Sequence, residues 1–432
     1  TTFTAGTVIA STWLNDVNDF VYNRFVRASS TCNFDGTDES AKIQALVDEC
    51  LLASPPLDLV IDGAVTMGAS VNIDRAVDTT TDMFTIYGVN GGGFIASNNT
   101  TLFTSSLAYV GGTSPSSEHV TFKGLRFSTS SVLNTSYVAS SKFVRITFDS
   151  CFFWIIKAHN PSIGSVTATT ATNKLTVTAV SSGTIVDTTS IRATDITAGT
   201  YIVSQDSGTT GGVGVYTLST TPGTLSSRTV TLMTFLQSWT FINCTIRNWL
   251  GSFVDCAGSY DMLLDDCRIE AGSCVVSCID GARGTNGLRV VNSLLELLGE
   301  SSLKLTGCAG FVYKNNHVEN NVANDINTFA GPLTNSSVDI SDNYVFNPNG
   351  AFVYHGTTTS AVSVANTVSG AFHTNTASVT SLVSIGDTAG TLSDTTFTTY
   401  MGRIKTKGAF GQTVATPTYS ASISLDPSTA TT

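Results

Sequence analysis

Hydrophobic positions along this chain fall into a short frame that keeps returning. Seven segments share it: "TFKGLRFS" (121–128), "TFDSCFFW" (147–154), "TFINCTIR" (240–247), "LLDDCRIE" (263–270), "RVVNSLLE" (289–296), "VYKNNHVE" (312–319) and "DISDNYVF" (339–346). Each alternates apolar and other residues, passes a small or Asn/Asp residue, and reaches a second apolar anchor. The anchors are Phe127, Phe153, Ile246, Ile269, Leu295, Val318 and Val345, with successive gaps of 26, 93, 23, 26, 23 and 27 residues. Period-two alternation marks strands, and a repeat of this length marks one coil of a solenoid. The expected fold is therefore all-β: a parallel β-helix of about ten coils between residues 55 and 395. The general preference of parallel crossovers makes it right-handed.

Two columns fix the register. Three residues before the anchor stand Gly124, Ser150, Asn243, Asp266, Asn292, Asn315 and Asp342, types that suit a tight turn. Next come Leu125, Cys151, Cys244, Cys267, Ser293, Asn316 and Asn343, which alternation turns inward. Stacked cysteines have parallel side-chain vectors, which argues against disulfides. The chain has nine cysteines, and the expectation is buried free thiols from synthesis in a reducing cytoplasm.

The 93-residue gap holds about 70 extra residues with β-branched alternation and Gly/Thr/Ser turns, as in "NKLTVTAVSSGTI" (173–185). Residues 163–234 are read as a small β module inserted within one coil. Upstream, "GTDESAKIQALVDECLLAS" (36–54) places Ile43, Leu46, Val47, Cys50 and Leu51 on one helical face. This predicts a capping helix over 37–54 that covers the open solenoid end, with Asp38 and Glu39 in its first turn. At the front, Trp13, Leu14, Val17, Phe20 and Val21 have helical spacing, and such a short apolar helix calls for a partner. The expected segments are 1–30 for an N-terminal segment carrying this helix, 31–162 and 235–397 for the β-helix, 163–234 for the insert, and 398–432 for a C-terminal β segment.

Composition narrows the function classes. Of 432 residues 41% are hydrophobic and only 12% charged, and the net charge of −11 argues against nucleic-acid binding. No apolar run approaches the ~20 residues of a membrane span. "TTFTAGTVIA" (1–10) lacks the basic start of a signal peptide. No cofactor or metal motif is present in the spacing of Cys, His and carboxylates.

A resemblance joins several of these pieces. "FTAGTVIASTWLNDVNDFVYN" (3–23) looks like the short N-terminal segment of many bacteriophage tailspike and tail-fibre proteins. "FDGTDESAKIQALVDECL" followed by "LDLVIDG" (57–63) resembles the opening of the pectate-lyase-like right-handed β-helix of tailspikes, shared with many secreted carbohydrate enzymes. The insert is similar to a small β module of phage structural proteins. "TYSASISLDPSTATT" (418–432) resembles the first strand of a C-terminal fibre module, cut short. The resemblance implies a homotrimer on the virion, attached to the phage tail or baseplate through the N-terminal segment, that binds and often cleaves a host surface polysaccharide. It carries over no catalytic residue.

The candidate site comes from this sequence. The column after the anchor reads Ser128, Trp154, Arg247, Glu270, Glu296, Glu319 and Phe346. Equal positions in adjacent coils stack ~4.8 Å apart, and like charges stacked in a sheet destabilise it, so packing alone does not explain three glutamates. Paired carboxylates about 5 Å apart suit a retaining glycosidase and ~6.5–9.5 Å an inverting one. Glu296, between two like charges, is the expected general acid, with Glu270 or Glu319 as partner. Arg247, Arg268, His317, Trp154 and Phe346 are the expected substrate contacts. Asp255 and Lys304 follow on the next strand as further candidates, while Trp239 and Trp249 are read as packing or trimer contacts and Asp266 as a turn residue. Three alternatives stay open: polysaccharide hydrolysis, a lyase using His317, Arg268 or Lys304 as base, and a non-enzymatic receptor-binding fibre. The glutamates also fit a solvated face or a divalent-cation site.

Overall fold

In the computed structural model the chain visits three parallel sheets in turn, once per coil. The described residues are 25–401 with short gaps, the longest at 74–83, 106–118 and 392–399. Residues 1–24, where the apolar helix is expected, and almost all of 398–432 lie outside the described residues, while Phe25–Arg27 of the expected N-terminal segment already pairs as a strand of the solenoid.

A first sheet follows a path of thirteen strands, from Phe25–Arg27 to Tyr400–Met401, and a second has eleven, from Ala64–Met67 to Thr388–Thr391. A third side carries four strands up to Lys157–Asn160, then six more from Ser252–Asp255 to His373–Thr374. Pairing is parallel throughout 240–346. The solenoid is thus a parallel β-helix.

The turn column works through backbone conformation. Ser150, Asn243, Asp266, Asn292, Asn315 and Asp342 all have φ between 51° and 57°, and Gly124 has φ 64°. This left-handed region is one that Gly, Asn and Asp enter at least cost. The chain bends there between first and second sheets. A second bend, between second and third sheets, uses the same conformation at Ile155, Asn248, Ala271, Leu297 and Asn320.

Between the sheets lies one continuous core. Phe94, Phe127 and Phe153 stack at 6.0 and 5.2 Å, and Phe122, Phe148 and Phe241 at 5.2 and 4.9 Å. Later coils replace the rings with Leu264, Ile269, Val290, Leu295 and Val318, all buried. The inward column changes in step. Cys151, Cys244 and Cys267 are free, buried thiols that donate to backbone carbonyls such as those of Phe122, Phe148 and Phe241. Burial pushes the Cys244 thiol far above its usual range. From Ser293 onward the column becomes Asn316, Asn343 and Asn366, each Oδ1 accepting the backbone N–H of the preceding member.

The helix runs Ser40–Leu52, shorter than the expected 37–54. Asp38 and Glu39 precede its first turn rather than filling it. Glu39 is the capping position, while Asp38 Oδ1 accepts the Ser40 N–H at 2.9 Å and the Gly68 N–H at 2.8 Å. A carboxylate placed before the helix satisfies end donors that one inside it cannot reach. Ile43, Leu46, Val47 and Cys50 are buried in the solenoid core, with Leu51 packed against it. No helix among the described residues is long and apolar enough to cross a membrane.

Residues 162–233 form a separate six-stranded antiparallel sheet with its own core of Val166, Leu175, Ile191, Ile202, Tyr216 and Leu232. Excising it restores the repeat: Ile146 pairs with Trp239 and Phe153 with Ile246, as neighbouring rungs should. The insert leaves after Asn160 and splits the third side in two. At that seam Arg192 of the insert grips Asp255 of the solenoid through two hydrogen bonds of 2.6 and 2.8 Å. Buried His159 engages the Asp255 carbonyl, and burial pushes its imidazole pKa down to about 4.

Candidate active site

The glutamate column lies on the second sheet, whose strands here are only three residues long. In Arg268–Glu270, Leu294–Glu296 and His317–Glu319 the middle residue is buried and its neighbours point outward. Glu270 pairs with Glu296, and Glu296 with Glu319, as Cα partners on adjacent rungs. Their carbonyls accept N–H groups from the left-handed residues: Asn248 to Glu270 at 3.3 Å, Ala271 to Glu296 at 3.0 Å and Leu297 to Glu319 at 3.0 Å. The second bend therefore fixes the backbone beneath each carboxylate.

The three carboxylates have different neighbours. Glu270 is clamped: Arg247 reaches its Oε2 at 2.7 Å, and Arg268 donates from Nε to its Oε1. Both guanidiniums expected to contact substrate thus engage this one carboxylate. Glu319 receives a hydrogen bond from Asn320 Nδ2 at 3.1 Å, and its Oε2 lies 3.2 Å from His317 Nε2. The His317 ring packs against Tyr344 at 5.2 Å. Glu296, between them, has no side-chain hydrogen bond among the described residues and is half-buried.

Aromatic pairs flank the acids. On the earlier rung Phe152 and Trp154 lie nearly parallel, 6.2 Å apart at 12°, and Trp154 is 38% exposed. Together with Arg126 and Ser128 they line a cavity of about 340 Å³, with Phe127 as its floor. On the later rung Tyr344 and Phe346 are 47% and 45% exposed. Trp154 and Phe346 are five rung steps apart, roughly 24 Å at strand spacing. The face is a strip with rings at both ends and acids between.

No family model and no curated protein sequence matches the chain. Solved structures are similar to it in the path of the chain. The tailspike protein of Acinetobacter baumannii phage AM24 has a TM-score of 0.48 at 13% identity, over 85% of this chain and 54% of that one. A tailspike of the Acinetobacter baumannii bacteriophage Fri1, described as a capsular polysaccharide depolymerase, has a TM-score of 0.46 at 10% identity, over 85% and 59%. The A-module of the mannuronan C-5 epimerase AlgE6 of Azotobacter vinelandii has 0.34 at 9%, over 88% and 96%. The chain spans 54% and 59% of the lengths of the two phage proteins. No residue role is transferred at such identities.

Several sequence expectations are relocated. Asp255 and Lys304 stand on the third side, not on the glutamate face: Asp255 holds Arg192, and Lys304 pairs with Glu300 four residues before it. The second bend separates the two surfaces. The insert leaves from the third side, and its Arg192 bridge is made there. Trp239 and Trp249 are fully buried. Arg126, Phe152 and Tyr344 were missed. Each occupies the column one residue before the anchor, already marked by Arg268 and His317, so following that column through every coil would have found them.

Proposed function

We propose that this chain is part of a phage tailspike that binds and depolymerises a host cell-surface polysaccharide, such as capsule, O-antigen or exopolysaccharide, by hydrolysis at the outer glutamate ladder. The observation that carries the reading is the register of Glu296 and Glu319, Cα partners on adjacent rungs of an exposed face. That spaces their Cα atoms ~4.8 Å apart, from which flexible side chains bring the two carboxyl groups to the separation of about 5–5.5 Å used by retaining glycosidases. Glu296 acts as general acid toward the glycosidic oxygen. Glu319, held by Asn320 and His317, attacks the anomeric carbon. Water then releases the sugar with Glu296 as base. Glu270 has both oxygens occupied by arginines and serves to position them. Trp154 and Phe346 offer flat faces to sugar rings at the two ends of the strip.

In this reading the β-helix of residues 31–162 and 235–397 is the sugar-acting body of a homotrimer in the virion tail. Residues 1–30 attach it to the tail or baseplate, and 398–432 continue it as a β segment. The test is incubation of the full chain with purified surface polysaccharides. New reducing ends, first released with retained anomeric configuration, support the reading. The ultraviolet absorbance of an unsaturated uronate makes it a lyase, and binding without cleavage makes it a receptor-binding fibre.

A further inference from the structure

One cation on the glutamate-bearing sheet is not committed to an acid. Arg126 is exposed and makes no ion pair among the described residues, whereas Arg247 and Arg268 both engage Glu270. Its guanidinium lies over the Phe152 ring, 5.2 Å from the centroid. A guanidinium stacked in this way keeps its N–H edge free, and that edge matches a carboxylate in two parallel hydrogen bonds. Beside it, Trp154 presents a large apolar ring nearly parallel to Phe152. The cavity of about 340 Å³ between them falls in the range of small-molecule sites, which bring a few polar groups to a mostly apolar lining.

Position adds to chemistry. The cavity sits on the outer face of the strand pair Arg126–Thr129 and Phe152–Trp154. From the Trp154 rung it is three rung steps to Glu296, roughly 14 Å. Glu270, two steps away, is paired with Arg247 and Arg268, and a Debye length of about 8 Å in physiological salt screens most of the repulsion from Glu296. An anionic unit is therefore tolerated at this end of the strip and disfavoured at the glutamates.

We infer that the Arg126–Phe152–Trp154 cavity is a subsite for an acidic sugar unit, its carboxylate on Arg126 and its ring on Trp154. The substrate is then an acidic polysaccharide whose charged unit lies several residues from the bond that is cut. This rests on the polysaccharide reading above and narrows it.

The test uses the full chain and a panel of purified acidic and neutral bacterial surface polysaccharides, with each acidic one also supplied after carbodiimide reduction of its carboxyl groups. Binding is read by calorimetry and by the fluorescence of Trp154, with Trp154→Phe as the spectral reference. The expected result is that acidic members bind, that reduction weakens binding about tenfold to a hundredfold, and that Arg126→Gln binds native and reduced forms alike. Glu296→Gln should leave the discrimination intact. Binding of neutral polysaccharides alone, or discrimination that survives Arg126→Gln, overturns the subsite while leaving the polysaccharide reading in place. Absence of binding to every member overturns both.

Discussion

Two ladders run along this solenoid, three residues apart in each coil, and they obey opposite rules. The inner one passes through Ser293, Asn316, Asn343 and Asn366; the outer one is Glu270, Glu296 and Glu319. An amide both donates and accepts, so asparagine stacks on asparagine without conflict. Asn343 Nδ2 donates to the Tyr313 carbonyl and to Asn366 Oδ1, while its own Oδ1 accepts from the backbone and side chain of Asn316. A carboxylate only accepts. Glutamate stacked on glutamate gains nothing from its neighbour, and the ladder draws in Arg247, Arg268 and His317 instead. One geometry thus stabilises the inner repeat and penalises the outer one. Folding explains why the asparagines recur. It does not explain the glutamates, and that gap is the physical case for a function there.

The largest expected effect on stability lies on the inner ladder. Asn343→Ala leaves the buried N–H of Asn316 without its acceptor and takes a donor from the carbonyl of Tyr313, which costs on the order of 3 kcal/mol in total. Denaturant unfolding should show this loss, and a shift under 1 kcal/mol would remove the contrast between the ladders.

A second effect separates two buried groups on either side of the insert. Asp325 receives hydrogen bonds from Ser302, Tyr313 and Asn321 inside the core, and burial pushes its pKa up to about 6. The unfolded chain ionises it near 3.8. Its contribution is fully present below that pH and is lost as pH rises to about 6. His159 works in the opposite sense. Its unfolded pKa of 6.5 falls to about 4 in the fold, so its contribution is present above 6.5 and lost as pH falls to 4. Each is worth on the order of 3 kcal/mol. Unfolding free energies measured from pH 4 to 6.5 should therefore rise with pH in Asp325→Asn and fall with pH in His159→Gln, relative to the parent. Parallel profiles in all three proteins contradict the assignment.

A smaller effect belongs to the second bend. Leu297 is left-handed at φ 56° and 52% exposed. Because a side chain there costs roughly 1–2 kcal/mol that glycine avoids, Leu297→Gly should raise stability by about 1 kcal/mol after its entropic cost. Thermal unfolding checks the sign.

The first bend and the second were not equally legible in the sequence. Asn243, Asp266, Asn292 and Asn315 announce a left-handed turn by residue type, and the coil register follows from them. Ile155, Ala271 and Leu297 adopt the same conformation without any such signal, because coil stacking imposes it on them. The outer ladder was legible for the same reason as the fold, since a fixed period puts equal positions on one face. Which glutamate holds which partner was not, because Arg247 reaches Glu270 across a rung and twenty-three residues of sequence. The Asp325 network was also invisible: Ser302, Tyr313 and Asn321 converge from separate sides of the coil, and no local pattern marks them. Residue type and period read the repeat, whereas contacts between coils needed the assembled rungs.

The smallest expected change in stability belongs to the outer ladder, and there the change in turnover is largest. Glu296→Gln keeps the side chain's shape and removes the ionisable carboxyl between two others. Its unfolding free energy should match the parent or exceed it by about 0.2–1 kcal/mol, while polysaccharide cleavage falls by roughly 10²–10⁴-fold. Measuring both on the same preparation is the decisive comparison. A variant that is equally stable and has lost cleavage places the chemistry on Glu296. A variant that cleaves at the parent rate makes the glutamate ladder a solvated face and moves the active site elsewhere.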